Sequence, residues 1–155
     1  MSNAATTESN LWSWLNKVKP LFRELLHMTR IENSAGLGTP DTEGCLSGRQ
    51  FWIELKCCKR PRNPDTKLEI KFRIAQPPWH RRRLAAGGRM YTLVQVGSGS
   101  GHGANRYLVH SEHVELLKAG VNEEVLRELS LCDPQAKAKH IIFLAADIYE
   151  NNSTR

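Results

Sequence analysis

Gln50-Phe51-Trp52-Ile53-Glu54-Leu55-Lys56-Cys57-Cys58 alternates two sets of side chains. Phe51, Ile53, Leu55 and Cys57 form one set; Trp52, Glu54, Lys56 and Cys58 form the other. A β-strand sends successive side chains to opposite faces. The segment therefore predicts a strand with Phe51, Ile53 and Leu55 turned to a core. Glu54 and Lys56 then stand side by side on the other face, roughly 6–7 Å apart along the strand. Immediately upstream, Ser47-Gly48-Arg49 is a short glycine-bearing connection, which suits a hairpin to a preceding strand over Asp41–Leu46. A tight hairpin brings Asp41, Glu54 and Lys56 to one edge of a sheet.

Farther out, Leu11, Trp14, Leu15, Val18, Leu21, Leu25 and Leu26 share a stripe that predicts a helix over 11–27, kinked or split at Pro20. A short strand over 28–33 and a glycine- and proline-bearing loop over 34–40 follow. Pro40 favours extended backbone at Thr39. Residues 59–65 read as a polar loop and 68–74 as a short strand. Pro77-Pro78 opens a helix that Gly87-Gly88 ends. Strands are expected over 90–96 and 106–110, joined by the loop 97–103. Helices over 111–118 and 122–131 take Ser111 and Asn122 as N-caps. The apolar run 141–148 suits either helix or strand. The whole predicts one mixed α/β domain over 11–150, with residues 1–10 fraying.

The 155 residues suffice for one domain with a core that needs no staples. Hydrophobic residues at 40% and charged residues at 25% suit a globular chain. No apolar run approaches the roughly 20 residues of a membrane span, and no basic-then-apolar signal opens the chain. Four cysteines, two of them the adjacent Cys57 and Cys58, suit free thiols in a reducing, cytoplasmic compartment. The net charge of +6 favours a polyanionic partner. The cations crowd into mid-chain, three within Lys59–Arg62 and a block at His80-Arg81-Arg82-Arg83. That block, with Arg73 and Lys71 as weaker candidates, is expected to contact phosphates; the plainer reading is a solvated helix face.

Hydrolysing a phosphodiester needs an activated water and a stabilised anionic transition state. Two carboxylates can hold Mg²⁺ or Mn²⁺, which prefer oxygen ligands. The metal lowers the pKa of its bound water and screens the phosphate, and a neighbouring lysine stabilises the developing charge. Asp41, Glu54 and Lys56 meet this requirement; the plainer reading is a surface aspartate and an exposed Glu–Lys pair. Other features read as structural. Gly97–Gly103 resembles a phosphate loop, but a strand rather than a helix follows it. His110-x-x-His113 lacks the paired spacing of a zinc site. Trp79 reads as packing beneath its helix, with base stacking as the other possibility. The helix over 111–118 is amphipathic through Val114 and Leu117, a face for the sheet or for a dimer contact.

Pro40-Asp41 followed by Glu54-Leu55-Lys56 resembles the signature of the PD-(D/E)XK nuclease superfamily. The order of elements resembles its restriction-endonuclease-like αβββαβ core, a mixed central sheet flanked by helices, here with C-terminal additions. Gly38-Thr39-Pro40-Asp41, Trp52-Ile53-Glu54-Leu55-Lys56 and the basic helix after Gln76 most resemble VRR-Nuc-like and Holliday-junction-resolvase-like proteins of phages and bacteria. The resemblance covers about Leu11 to Val96. It implies Asp41 and Glu54 as ligands of Mg²⁺ or Mn²⁺, the Leu55 carbonyl as a further ligand, Lys56 as the catalytic lysine and Gln76 as an auxiliary polar residue. The family often adds an upstream glutamate. Glu8, Glu24 and Glu32 are available, and Glu32 is chosen because Arg30-Ile31-Glu32 reads as a strand. The implied protein is a metal-dependent DNA endonuclease acting on branched or junction DNA, as a homodimer, in the cytoplasm of a bacterium or phage-infected cell. A non-catalytic nucleic-acid-binding module of the same fold is the alternative, and a protein-binding role for the basic helix is a third reading.

Overall fold

The computed structural model describes residues 4–32, 36–98 and 103–148. Its centre is a five-stranded mixed sheet in the order β1-β2-β3-β4-β5. The strands are β1 (Leu26–Arg30), β2 (Thr42–Leu46), β3 (Arg49–Cys58), β4 (Met90–Val96) and β5 (Asn105–His110). β3 and β4 run parallel, and the other neighbours are antiparallel. The flanking helices are α1 (Ala4–Asn16), α2 (Lys19–Phe22), α3 (Gln76–Ala85), α4 (Val114–Ala119), α5 (Glu123–Leu129) and α6 (Ala138–Ala145). The expected mixed α/β class is therefore found. Among the described residues, no helix is long and apolar enough to cross a membrane.

The alternation of β3 sets the layers. Phe51, Ile53 and Leu55 join Leu11 and Leu15 of α1 and Ile141, Ile142 and Ala145 of α6 in one core. Across the sheet, Val94, Val96, Tyr107 and Val109 pack on Leu117 of α4, Leu126 of α5, Leu68 and Ile70. Glu54 and Lys56 face this second side. Covering both faces is what a parallel strand pair demands, because its crossover helix returns over the sheet; α3 is that helix. The β2–β3 hairpin turns through Ser47 and Gly48, whose φ values are 50° and 84°. Positive φ at both central residues is the type I′ turn, whose twist matches the flanking strands.

Several boundaries differ from the sequence reading, each for a physical reason. α1 already begins at Ala4, so Ala4–Asn10 is helical rather than frayed. The helix expected to reach His27 stops at Asn16. Pro20 lacks the N–H that a continuing helix needs, and it sits instead in the first turn of the new helix α2. A 3₁₀ turn over Arg23–Leu25 then leads into β1. Leu26 and Met28 enter the core as alternate strand residues, while Leu21 and Leu25, expected on the buried stripe, are exposed. Residues 33–35, part of the strand and loop expected there, lie outside the described residues, as do 99–102 of the glycine loop.

Residues 68–74 form no strand. Leu68 and Ile70 are buried in alternation, but the Leu68 N–H donates to the Val121 carbonyl at 2.8 Å, in a loop rather than in a ladder. Ser111 caps no helix; it is buried in a 3₁₀ turn, where the His110 side chain accepts from the Glu112 N–H. Asn122 does cap α5, its Oδ1 accepting from the Val125 N–H at 2.9 Å. The run 141–148 is helical through Ala145.

Gly44 of β2 packs under the Phe51 ring so closely that a Cβ would overlap it. Gly44→Ala should cost about 1–3 kcal/mol by overpacking. Urea denaturation of Gly44→Ala, Phe51→Leu and the double variant checks this: the smaller side chain at 51 should recover part of the loss, so that the two effects are non-additive.

Candidate active site

The β2–β3 ladder ends at the pair Thr42 and Ile53. Just beyond it, the Asp41 carboxylate replaces the next main-chain acceptor: its Oδ2 accepts from the Leu55 N–H at 2.9 Å. The N–H and C=O of one strand residue point to the same side, so the Leu55 carbonyl also faces the gap that Asp41 occupies. The Trp52 N–H donates to Arg89 on the β4 side, consistent with that alternation. Asp41 is anchored from behind by its own carbonyl, which accepts from the Ile31 N–H at 2.7 Å. Gly38, at φ 84°, lies so close to the Ala75 carbonyl that a Cβ would overlap it. This contact brings the loop leading to Asp41 against the start of α3.

Gln76, the first residue of α3, closes the site. Its Nε2 donates to Glu54 Oε1 at 2.5 Å, and its Oε1 accepts from Lys56 Nζ at 3.0 Å and from the Arg73 N–H at 2.7 Å. Lys56 Nζ also lies 3.2 Å from Glu54 Oε1 and 4.9 Å from the centre of the Phe72 ring. Glu54, Lys56 and Gln76 are all buried, Glu54 to 1% exposure. Burial, and then the neighbouring Asp41 carboxylate, push the Glu54 carboxyl up to about 8; Lys56 pulls the other way and is outweighed. Glu54 Oε2 is buried with no hydrogen-bond partner.

A hard divalent cation fits this arrangement. Two carboxylates that repel one another, one with an unpartnered buried oxygen, are relieved by a positive ion. Asp41, Glu54 and the Leu55 carbonyl are the groups that would hold it. Among the described residues no group of three or more His, Cys, Asp or Glu is gathered for a metal. A pair of carboxylates suits Mg²⁺, which keeps several waters and is bound through one or two carboxylates.

Of the three upstream acids, Glu8 rather than Glu32 shares the electrostatic field of Asp41 and Lys56. Burial and Asp41 raise the Glu8 carboxyl, while Lys56, Arg30 and Arg73 lower it, so the side chain lies within the field of the same groups. Arg30 Nη1 donates to Ser9 Oγ at 3.1 Å and ties this end of α1 to β1. Glu32 lies past the end of β1 and is exposed, and Glu24 sits at the opposite end of β1. Extending the Leu11-Leu15-Val18 stripe one turn toward the N-terminus reaches Glu8, a signal that the sequence carried.

The basic block of α3 is largely engaged elsewhere. His80 is fully buried, its Nδ1 lies 2.9 Å from Ser111 Oγ, and burial, with Lys56, lowers its pKa to about 4. It is therefore neutral and shielded from solvent, not a phosphate contact. Arg81 pairs with Glu115. Arg83 stacks on Trp79 and Trp52, 4.8 and 5.2 Å from their centres, and the half-buried Trp79 packs edge-on against the half-buried Trp52, outside both apolar cores. Arg82 and Arg73 remain exposed. The Arg60–Glu123 pair, 63 residues apart, carries no local sequence signal: Glu123 accepts two bonds from Arg60, at 2.8 and 3.0 Å, and one each from Asn105 and Tyr107. Arg60 first, then the other donors, hold its carboxyl down at about 2 against the opposing effect of burial. No family model and no curated protein matches the chain.

The raised Glu54 carboxyl makes a signed prediction. Between the ordinary value of 4.5 and about 8 the folded state keeps a proton that the unfolded state has released. Stability should therefore fall as pH rises through this window in EDTA, by about 1.4 kcal/mol per pH unit at most. Thermal melts of wild type and Glu54→Gln in EDTA from pH 5 to 8 check it: the variant should lose the slope and be the more stable of the two at pH 8. Added Mg²⁺ should flatten the wild-type slope.

Proposed function

We propose that this chain is a metal-dependent nuclease of the PD-(D/E)XK type, hydrolysing phosphodiester bonds in DNA with Mg²⁺ or Mn²⁺. The observation that carries the reading is the convergence of Asp41 and Glu54, the latter buried with an unpartnered oxygen, beside a lysine whose ammonium is held by Gln76. A binding module has no use for two repelling carboxylates facing a polyanion. The sequence of elements through β4 accords with the αβββαβ core that the motif implied. The metal, when bound, supplies an activated water and charge screening at the phosphate.

The residues divide the remaining work. Asp41 is fixed by the Leu55 N–H and by its own carbonyl's bond to Ile31, so its free oxygen has one direction. Glu54 is fixed by Gln76. Lys56 cannot swing away from the site, because Gln76 and the Phe72 face hold its ammonium. Its charge is placed for the oxyanion that develops as water attacks the phosphorus. Restriction to branched or junction DNA, and a homodimeric state, belong to the resemblance rather than to this geometry.

Cleavage of single-stranded, duplex, flap and four-way-junction DNA with Mg²⁺, Mn²⁺ or EDTA tests the reading. Wild type should cut at least one substrate only with metal. Lys56→Ala should lower the rate by about 10²–10³, and Asp41→Ala should abolish metal-dependent cutting. A folded wild type that cuts nothing would leave the non-catalytic binding module in its place.

A further inference from the structure

A cleft of about 870 Å³ opens beside the site, from Lys56 along Cys57 and Cys58 to Gly97 and Ser98. These residues stand at the carboxyl ends of the parallel strands β3 and β4, where ligands bind in open α/β sheets. The facing wall is the crossover segment that precedes α3. We propose that this cleft is a channel for one nucleic-acid strand, gripped through its phosphates by Lys59, Lys67 and Lys71. The proposal rests on the nuclease reading only for what happens to the strand at its inner end.

The charge of the wall comes from alternation. Leu68 and Ile70 are buried in the second core, which turns Lys67, Glu69 and Lys71 outward to the cleft. Lys59, Lys67 and Lys71 line it without an ion pair among the described residues. Arg60, also in the lining, is spent on Glu123 and on the Gly103 and Val96 carbonyls. That network pins the wall to α5 and β5, so the lysines are carried on a preorganised support. Among the described residues, Glu69 is the acid on this wall, and Glu8 of α1 also lines the cleft.

The lining also states what the cleft does not read. Among the described residues no aromatic side chain lines it, so the grip proposed here runs through phosphates and not through base stacking. Contact through phosphates positions a strand without reading its sequence. The proposed occupant is a single strand or strand end, whose one line of phosphates the one row of lysines matches, rather than a duplex with its two. A strand lying along the three lysines brings a phosphate to Lys56, the residue of the candidate site's charged pair that lines the cleft.

Fluorescence anisotropy with a fluorescein-labelled single strand and a blunt duplex of equal length, in EDTA over a salt series, tests this. Wild type should bind the strand more tightly than the duplex. Lys59→Glu/Lys67→Glu/Lys71→Glu should weaken strand binding at least tenfold and reduce the salt slope by about 2, given roughly 0.7 per phosphate contact on single strands. The milder Lys→Gln triple should move in the same direction with an unchanged melting temperature, and Lys17→Glu, an exposed position just past the end of α1, should change nothing. Unaltered binding in both triples, preference for the duplex, or no strand binding by wild type would overturn the channel. The two readings fail separately. Strand binding lost in the triples without any metal-dependent cutting keeps the channel and removes the nuclease; metal-dependent cutting with lysine-independent binding does the reverse.

Discussion

The burial of Glu54 and Lys56 two residues apart on a central strand is the constraint from which the rest of the structure follows. Charged side chains are almost never buried unless they are paired and hydrogen-bonded. Here the pairing is incomplete. Lys56 opposes Glu54, but Asp41 adds a second carboxylate, and the balance leaves Glu54 favouring its proton. Such a site opposes folding, so its stability must come from elsewhere. The fully apolar opposite face of β3, with Phe51, Ile53 and Leu55 sealed under α1 and α6, is where that stability resides. One strand thus carries the source of the strain on one face and its support on the other.

Gln76 makes the arrangement possible because an amide donates at one end and accepts at the other. A carboxylate at that position would satisfy Lys56 and repel Glu54; a lysine would do the opposite. The amide bridges both, and the Arg73 N–H fixes which end points where. Its location follows from topology. A parallel β3–β4 pair needs a crossover helix lying over the sheet, and Pro77-Pro78 sets where that helix starts. The first helical residue therefore meets the charged face of β3. Gly38 holds the Asp41 loop against the same helix start, so three segments far apart in sequence meet at one point.

What was legible in the sequence was what local rules govern. The period of β3, the turn at Ser47-Gly48, the Asn122 cap and the start of α3 all follow from short-range chemistry, and with them came Asp41, Glu54 and Lys56 as neighbours; Gln76 came from the resemblance to the nuclease motif. What was not legible depended on where an element docks. The split at Pro20 was legible, but the stripe from Leu11 to Leu26 could not show that its last residue belongs to a strand. The strand pattern over 68–74 showed neither that burial in alternation stops after Ile70, leaving Ile74 exposed, nor that the segment lacks a ladder partner. His80 reads as one of four cations in a row, yet its place on α3 turns it toward Ser111 and the sheet. Glu32 was chosen over Glu8 and Glu24 on a local strand pattern, whereas which acid approaches the site depends on how α1 sits against β1.

The same distinction governs charge. The densest run of cations along the chain is His80–Arg83, but a helix distributes four consecutive residues around its axis. One is buried, one pairs with Glu115 and one stacks on two tryptophans. The segment 67–71 carries fewer cations and looks weaker, yet its alternate residues share one side. Extended chain with a buried inner row therefore concentrates charge where a helix disperses it. The field felt by an approaching polyanion is set by that geometry and by which cations are already neutralised, not by the number of arginines in a row. Arg60 illustrates the second condition: bound to Glu123, it contributes rigidity to the wall, and the lysines around it contribute the charge.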